Sequence, residues 1–289
     1  MSRTMSALAN SPWLAVATIL GAFLLLFSLL LVWSRTSSAR PETTRKLLHA
    51  GSGLLTLTFP FLFGEMWPVL LLTGTSALLV AAARFVPSLR DRFGCVTSGV
   101  NRPTFGELYF PLSVALLFLL TRGEEPLLFV IPVLVLTLAD ATCALVGGRY
   151  GLTPYASASK SLEGSVTFVV VAFFCVHVPL LLWSGVGRVE SLLLAATLSL
   201  LMMLLEGSAW RGLDNVSIPI GGYVLLRVHI GLDAATLVAH LVITLGLVLL
   251  ILLYLHRRRA DGWSAKDGRA NRRVARLGYW GTVHRVDAR

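Results

Sequence analysis

Apolar residues in this chain are gathered into nine runs, 13–33, 47–63, 67–83, 108–120, 127–147, 166–183, 191–205, 218–230 and 234–256. A helix that crosses a bilayer satisfies its own backbone groups and needs about 20 mostly apolar residues, fewer where neighbours shelter it. The runs 108–120 and 218–230 are the shortest. With 55% hydrophobic and only 14% charged residues, and a mean hydropathy of +0.76, a soluble globular domain is excluded. The sequence predicts an all-α, polytopic transmembrane helical bundle. No fixed-period repeat or linker divides it, so the reading is one membrane domain, 1–256, with a basic tail, 257–289.

The first run, 13–33, is longer than the core of a secretory signal, and its strong positive flank follows rather than precedes it, so it reads as a retained anchor. Cys95, Cys143 and Cys175 are odd in number and form no CxxC pair, so they imply no disulfide framework or metal knuckle.

Alternating the nine runs across a membrane sorts the basic residues unequally. One side collects Arg35, Arg40, Arg45, Lys46, Arg84, Arg90, Arg92, Arg102, Arg149, Lys160, Arg211 and the tail; the other receives Arg3, Arg122, Arg188 and Arg227. The positive-inside rule makes the first side cytoplasmic, with the N-terminus outside and the C-terminus inside. Removing one short run would invert every later loop, so the asymmetry supports the count. The compact chain is compatible with a bacterial inner membrane. The tail carries ten Lys/Arg against three Asp, interleaved with Trp263, Tyr279 and Trp280. That composition suits attraction to anionic lipid, about 1 kcal/mol per basic residue, and not nucleic-acid binding.

Chemistry-bearing groups concentrate in the stretch 138–165, LADATCALVGGRYGLTPYASASKSLEGS. Asp140, Ala144, Gly147 and Gly151 share a helical face, so a carboxylate is followed by positions without bulk, where something can approach the backbone. Pro154 and a Ser/Ala-rich segment then break the helix, and Lys160 and Glu163 open the next run.

The other polar groups fall at the same ends of the runs. Arg45, His49 and Gly53 are four residues apart, on one face. Arg45 and Lys46 are equally explained as interfacial anchors, whereas an ionisable His49 just inside a span is a functional candidate. Glu107 begins a run where the helix dipole stabilises a carboxylate, and capping is its first reading. Ser217 as N-cap with Pro219 in the first turn predicts a helix start. Glu206 and Asp214, at the surface that also bears Asp140 and Lys160, suggest a shared polar basin.

Ser157-Ala158-Ser159-Lys160 matches S-x-x-K, but the partners of that serine chemistry are missing. Lys160-Ser161 echoes the end of a P-loop, yet Ser159 stands where glycine is required, and there is no GxGxxG. What remains is a set of cations, Arg45, Lys46, Arg102 and Lys160, facing a set of carboxylates, Glu107, Asp140, Glu163, Glu206 and Asp214. Phosphoryl transfer needs both, because carboxylates hold magnesium and basic groups orient phosphates.

Five stretches in order, Arg45-Lys46-x-x-His49, Arg102-x-x-x-Gly106-Glu107-x-Tyr109-Phe110-Pro111, Asp140-x-x-x-Ala144-x-x-x-Gly148, Lys160-Ser161-x-Glu163-Gly164-Ser165 and Asp214-Asn215-x-x-Ile218-Pro219, resemble the motifs of the polyprenol kinase family. That family includes dolichol kinase, phytol kinase and CTP-dependent diacylglycerol kinase, and is similar at its Asp and Lys motifs to phosphatidate cytidylyltransferase. The resemblance runs from about Arg45 to Pro219; the first run and the tail fall outside it.

The resemblance implies a membrane enzyme that moves the terminal phosphate of CTP to a lipid alcohol with Mg2+. On this sequence it implies metal ligands among Asp140, Asp214, Glu163 and Glu206. Nucleotide contacts would come from Lys46, Arg102, Gly148, Lys160, Ser161, Glu163, Ser165 and Asn215. Arg45 and His49 would lie near the lipid hydroxyl, with His49 a candidate base and Asp140 and Lys160 central to catalysis. Two rivals remain. A phosphatidate cytidylyltransferase would use the same CTP and magnesium; a transporter would need broken spans at the midplane and an internal repeat, which the sequence does not display. The lipid alcohol and the oligomeric state are not legible.

Overall fold

A computed structural model describes residues 11–37, 41–89, 105–155, 160–209 and 212–260, and these are almost entirely helical. Helices stand at all nine predicted positions. They are α1 (Pro12–Thr36), α2 (Pro41–Thr56) with a short α3 (Phe59–Leu62), α4 (Met66–Phe85) and α5 (Gly106–Leu120). Next come α6 (Leu127–Leu134), continued through a wide turn into α7 (Asp140–Tyr150), then α8 (Leu162–Trp183), α9 (Arg188–Ser208), α10 (Asp214–His229) and α11 (Ala234–Ala260). Six helical stretches are long and apolar enough to cross a membrane: α1, α4, the continuous α6–α7, α8, α9 and α11. The remaining three positions are shorter, at 16, 15 and 16 residues for α2, α5 and α10.

Sequence accounts for the shortfall in the second position. Pro60 has no N–H to donate to the carbonyl of Thr56, so the predicted run 47–63 divides into α2 and α3 across Leu57 and Thr58. The eighth position departs from its predicted start. Ser217 does not cap it; α10 begins at Asp214, leaving the Ser217 hydroxyl buried without a partner and Pro219 inside the helix. The extra turn is held by tertiary contacts, since the Asn215 side-chain amide donates to the Gly106 carbonyl at 2.7 Å and Ile218 is fully buried. Gly212, with φ of +90°, turns the chain immediately before it, a conformation open to glycine.

The α6–α7 stretch is the axis of the bundle. Of its spanning window 61% is buried, against 17% for α1 and 11% for α11, which therefore lie at the periphery. Phe129, Ile131 and Leu136 are buried in the centre against Phe168 of α8, Leu198 of α9 and Leu226 of α10. Outer faces carry Leu24, Leu25 and Leu29 on α1 and Val242, Ile243 and Leu250 on α11, all exposed. An apolar exterior on a bundle is the pattern expected against lipid.

The wide turn, Val135–Ala139, is π-helical. Pro132 lies just before it, and the Asp140 N–H donates to the Val135 carbonyl, five residues back. One extra residue in a turn rotates everything beyond it by about 100° relative to an unbroken α-helix. Asp140 is the first residue after that rotation. Gly53 of α2 makes room for the turn, because a Cβ there would overlap the Thr137 hydroxyl.

Gly53→Ala is therefore expected to destabilise the protein by about 1–3 kcal/mol through overpacking. Its thermal unfolding midpoint in detergent should fall, and Thr137→Ala in the same chain should restore part of the loss.

Candidate active site

Two lysine–carboxylate pairs lie at one end of the bundle. Lys46, in the second turn of α2, places Nζ 2.7 Å from Oδ2 of Asp140, and both side chains are nearly excluded from solvent. Lys160 ion-pairs with the Glu206 carboxylate at the end of α9 and also donates to the Glu206 backbone carbonyl at 2.9 Å. Burial works against the charged form of Lys160, but the Glu206 carboxylate outweighs it and holds the ammonium above its ordinary value. Its contribution to stability is thus fully present below pH about 10 and lost only as pH rises past that raised value. Asp214, at the start of α10, interacts electrostatically with Asp140, Lys46 and Lys160. The polar basin anticipated from Asp140, Lys160, Glu206 and Asp214 is present, and Lys46 belongs to it.

A hairpin delivers Lys160. After α7 ends at Tyr150, β1 (Pro154–Tyr155) pairs antiparallel with β2 (Lys160–Ser161), with Tyr155 opposite Lys160. Ser161 then caps α8, accepting from the Gly164 N–H at 3.2 Å. The small residues of α7 serve this join. A Cβ on Gly147 would meet the Ser161 hydroxyl at 3.1 Å, and one on Gly164 would meet the Cys143 carbonyl at 3.1 Å. What approaches the backbone at Gly147 and Gly151 is thus the start of α8 and not a ligand, a correction to the sequence expectation. Gly148 alone of that group faces open space.

The remaining candidates are distributed as follows. Ser165 is buried and shares a short hydrogen bond with the Tyr155 hydroxyl, and Ser161 is occupied as a cap. Glu163 is set apart from the basin's carboxylates: its Oε2 accepts from the Thr153 N–H at 3.3 Å and braces the turn before the hairpin. Asn215 links α10 to α5. Arg102, the tail 261–289 and the first three residues of the S-x-x-K match lie outside the described residues.

Two residues went unnoticed in the sequence. Cys143 offers Sγ 3.8 Å from Glu206 Oε1, and with Asp140 and Glu206 it forms a group of donor atoms within 4.8 Å of one another. Its signal was spacing, three residues beyond Asp140 on the same face. Tyr155 had no signal beyond its place in the loop.

His49 borders the basin from α2, with Nε2 4.0 Å from Asp140 Oδ2. Phe110 packs on its ring at 4.7 Å. Nε2 is left buried with no hydrogen-bond partner. Beyond His49 opens a cavity of about 100 Å³ between α1, α2, α4 and α5, with Arg45, His49, Glu107 and Asn215 among its polar walls.

Three hard carboxylates, Asp140, Glu206 and Asp214, suit magnesium, and the thiol of Cys143 does not. Basic groups paired with carboxylates beside a cavity are the parts that transfer of a phosphate to an acceptor requires.

No family model matches the chain, and no solved structure does. The phytol kinase of Synechocystis sp. is 33% identical to it over 220 residues, which cover 74% of this chain and 90% of that protein. The identity extends along most of both chains, and Lys46, Asp140, Lys160 and Asp214, each from a different one of those motifs, meet in one basin; the chain belongs to the polyprenol kinase family.

Proposed function

We propose that the protein is a multi-pass membrane kinase that transfers the γ-phosphate of CTP to the hydroxyl of a lipid alcohol, with Mg2+, from the cytoplasmic face. The observation that carries this reading is the placement of two buried lysine–carboxylate pairs beside a cavity whose rim holds His49. The relative named a phytol kinase supports a lipid alcohol as acceptor. The membrane orientation follows from the lopsided distribution of basic residues, which puts the basin and the C-terminal tail inside and the N-terminus outside over nine crossings. The tail would add attraction to anionic lipid.

Asp140, Asp214 and Glu206 would hold the metal, which when bound supplies neutralisation of the charge that develops on the transferred group. In the free protein Lys46 neutralises Asp140 and Lys160 neutralises Glu206. Lys46 and Lys160 would bind the nucleotide's phosphates, and the carboxylates they now pair with would be the metal's ligands. His49, packed against Phe110, presents Nε2 to the acceptor hydroxyl. The acceptor oxygen bonds to the γ-phosphorus, the bond from that phosphorus to the bridging oxygen breaks, CDP leaves, and the hydroxyl proton passes to His49 Nε2.

The test is incubation of the protein in lipid with magnesium and CTP labelled at the γ- or the α-phosphate. The acceptors are phytol, a polyprenol, diacylglycerol and phosphatidate. Lipid labelled from the γ-phosphate alone is expected. Label from the α-phosphate would instead make the protein a phosphatidate cytidylyltransferase, and no labelled lipid with any acceptor would favour transport.

Asp140→Asn should lower kcat by at least about a hundredfold. It should also lower stability by about 3–5 kcal/mol, because Lys46 is left buried and unpaired. Lys46→Met combined with Asp140→Leu should recover much of the unfolding midpoint with no recovery of activity. Lys160→Ala should raise the KM for CTP about ten- to hundredfold, the worth of one charged hydrogen bond; an unchanged KM would reduce Lys160 to a structural partner of Glu206.

A further inference from the structure

We propose that the cavity beyond His49 seats the hydrocarbon chain of the acceptor next to its hydroxyl, that it takes a single chain, and that Phe23 of α1 is one of its walls. This rests on the reading of the acceptor as a lipid alcohol.

The walls change in character with depth. Arg45, His49, Ser52 and Thr56 follow one another down a single face of α2 at steps of four, three and four residues, and all line the cavity. Charge ends with His49 on that face. The Thr56 hydroxyl donates to the Gly53 carbonyl and the Thr73 hydroxyl to the Val69 carbonyl, each at 2.7 Å. Their protons are thus spent within their own helices. Phe59, Leu72, Val80, Val114 and Phe23 supply hydrocarbon around them. A group with a polar head and an apolar body fits this gradient, with the head at His49. His49 Nε2 is the one ring nitrogen there that is buried without a partner, and a hydroxyl would satisfy it.

Size selects among lipid alcohols. A volume of about 100 Å³ is smaller than the roughly 150 Å³ apolar cavity that accepts one benzene ring. It holds about four or five carbons of one chain and not two chains side by side. A branched, single-chain alcohol does not need space for a second chain.

The wall contributed by α1 lies outside the stretch from Arg45 to Pro219 that carries the family motifs. Ala15, Val16 and Ile19 are buried on its inner face, Phe23 lines the cavity, and Leu26 lies against Gly51, where a Cβ would meet it at 2.7 Å. The helix is therefore part of the acceptor site as well as an anchor.

The experiment uses the full chain in lipid nanodiscs without nucleotide, irradiated with a prenyl alcohol that carries a diazirine on its first isoprene unit. Peptides containing Phe23, Leu72 and Val114 should be labelled, and excess phytol should suppress the label at least about tenfold more strongly than diacylglycerol does. Leu72→Trp fills the cavity and should reduce labelling about tenfold, and Phe23→Ala should raise the acceptor KM several-fold with the KM for CTP unchanged. Label confined to outer faces such as that of α11, or equal competition by diacylglycerol, would overturn the proposal, and the wild-type map alone decides this if a variant misfolds. Labelling as expected without phosphate transfer would leave the cavity standing and remove the kinase reading. Transfer to a lipid alcohol with label elsewhere would do the reverse.

Discussion

An ionic group inside an apolar bundle is tolerated only when it is paired, and the arrangement of this protein follows from that requirement. Lys46 with Asp140 and Lys160 with Glu206 bring α2, α7, β2 and α9 to one point. Asp214 at the start of α10 joins the same electrostatic group. Each pair is a tie between elements far apart in sequence, so the packing of the bundle and the assembly of the site are the same event. Ion pairs in such a basin can also exchange partners when an anion and a cation arrive together, which a purely structural ion pair has no need to do.

Two backbone devices aim the groups. The π turn re-phases the axial helix so that Asp140 meets Lys46. The hairpin and the Ser161 cap carry Lys160 back over α7 to Glu206. Both devices depend on close approach: Gly53 admits the π turn, and Gly147 with Gly164 admits the start of α8. Small residues in this protein are thus placed where helices cross, as expected of packing in a membrane, where no hydrophobic force draws helices together.

The cavity and the basin meet at His49, and they answer different chemical needs. The basin offers carboxylates and ammonium groups, suited to a metal and phosphates. The cavity offers a hydrocarbon interior under a polar rim. His49 touches both: its unsatisfied Nε2 lies 4.0 Å from Asp140, and the residue lines the cavity. A reaction joining a charged donor to an apolar alcohol requires such a border.

By itself the sequence determined the helical class, the nine helix positions and the family, because hydropathy and motif spacing are read locally, whereas acidic or basic residues at the ends of apolar runs also serve as anchors and caps. It marked Asp140, Lys160, Glu206, Asp214 and His49 without pairing them. Only the tertiary structure decided that Lys46 answers Asp140, that Glu206 answers Lys160, and that Glu163 braces a turn. It decided as well that Cys143 and Tyr155 border the site and that α10 starts at Asp214 and not after Ser217. The reason is physical: partners in these contacts are 46 and 94 residues apart for the two ion pairs. Which carboxylate meets which lysine depends on helix phase and crossing, and a single inserted residue in the π turn shifts that phase by about 100°. Hydropathy patterns carry no record of it.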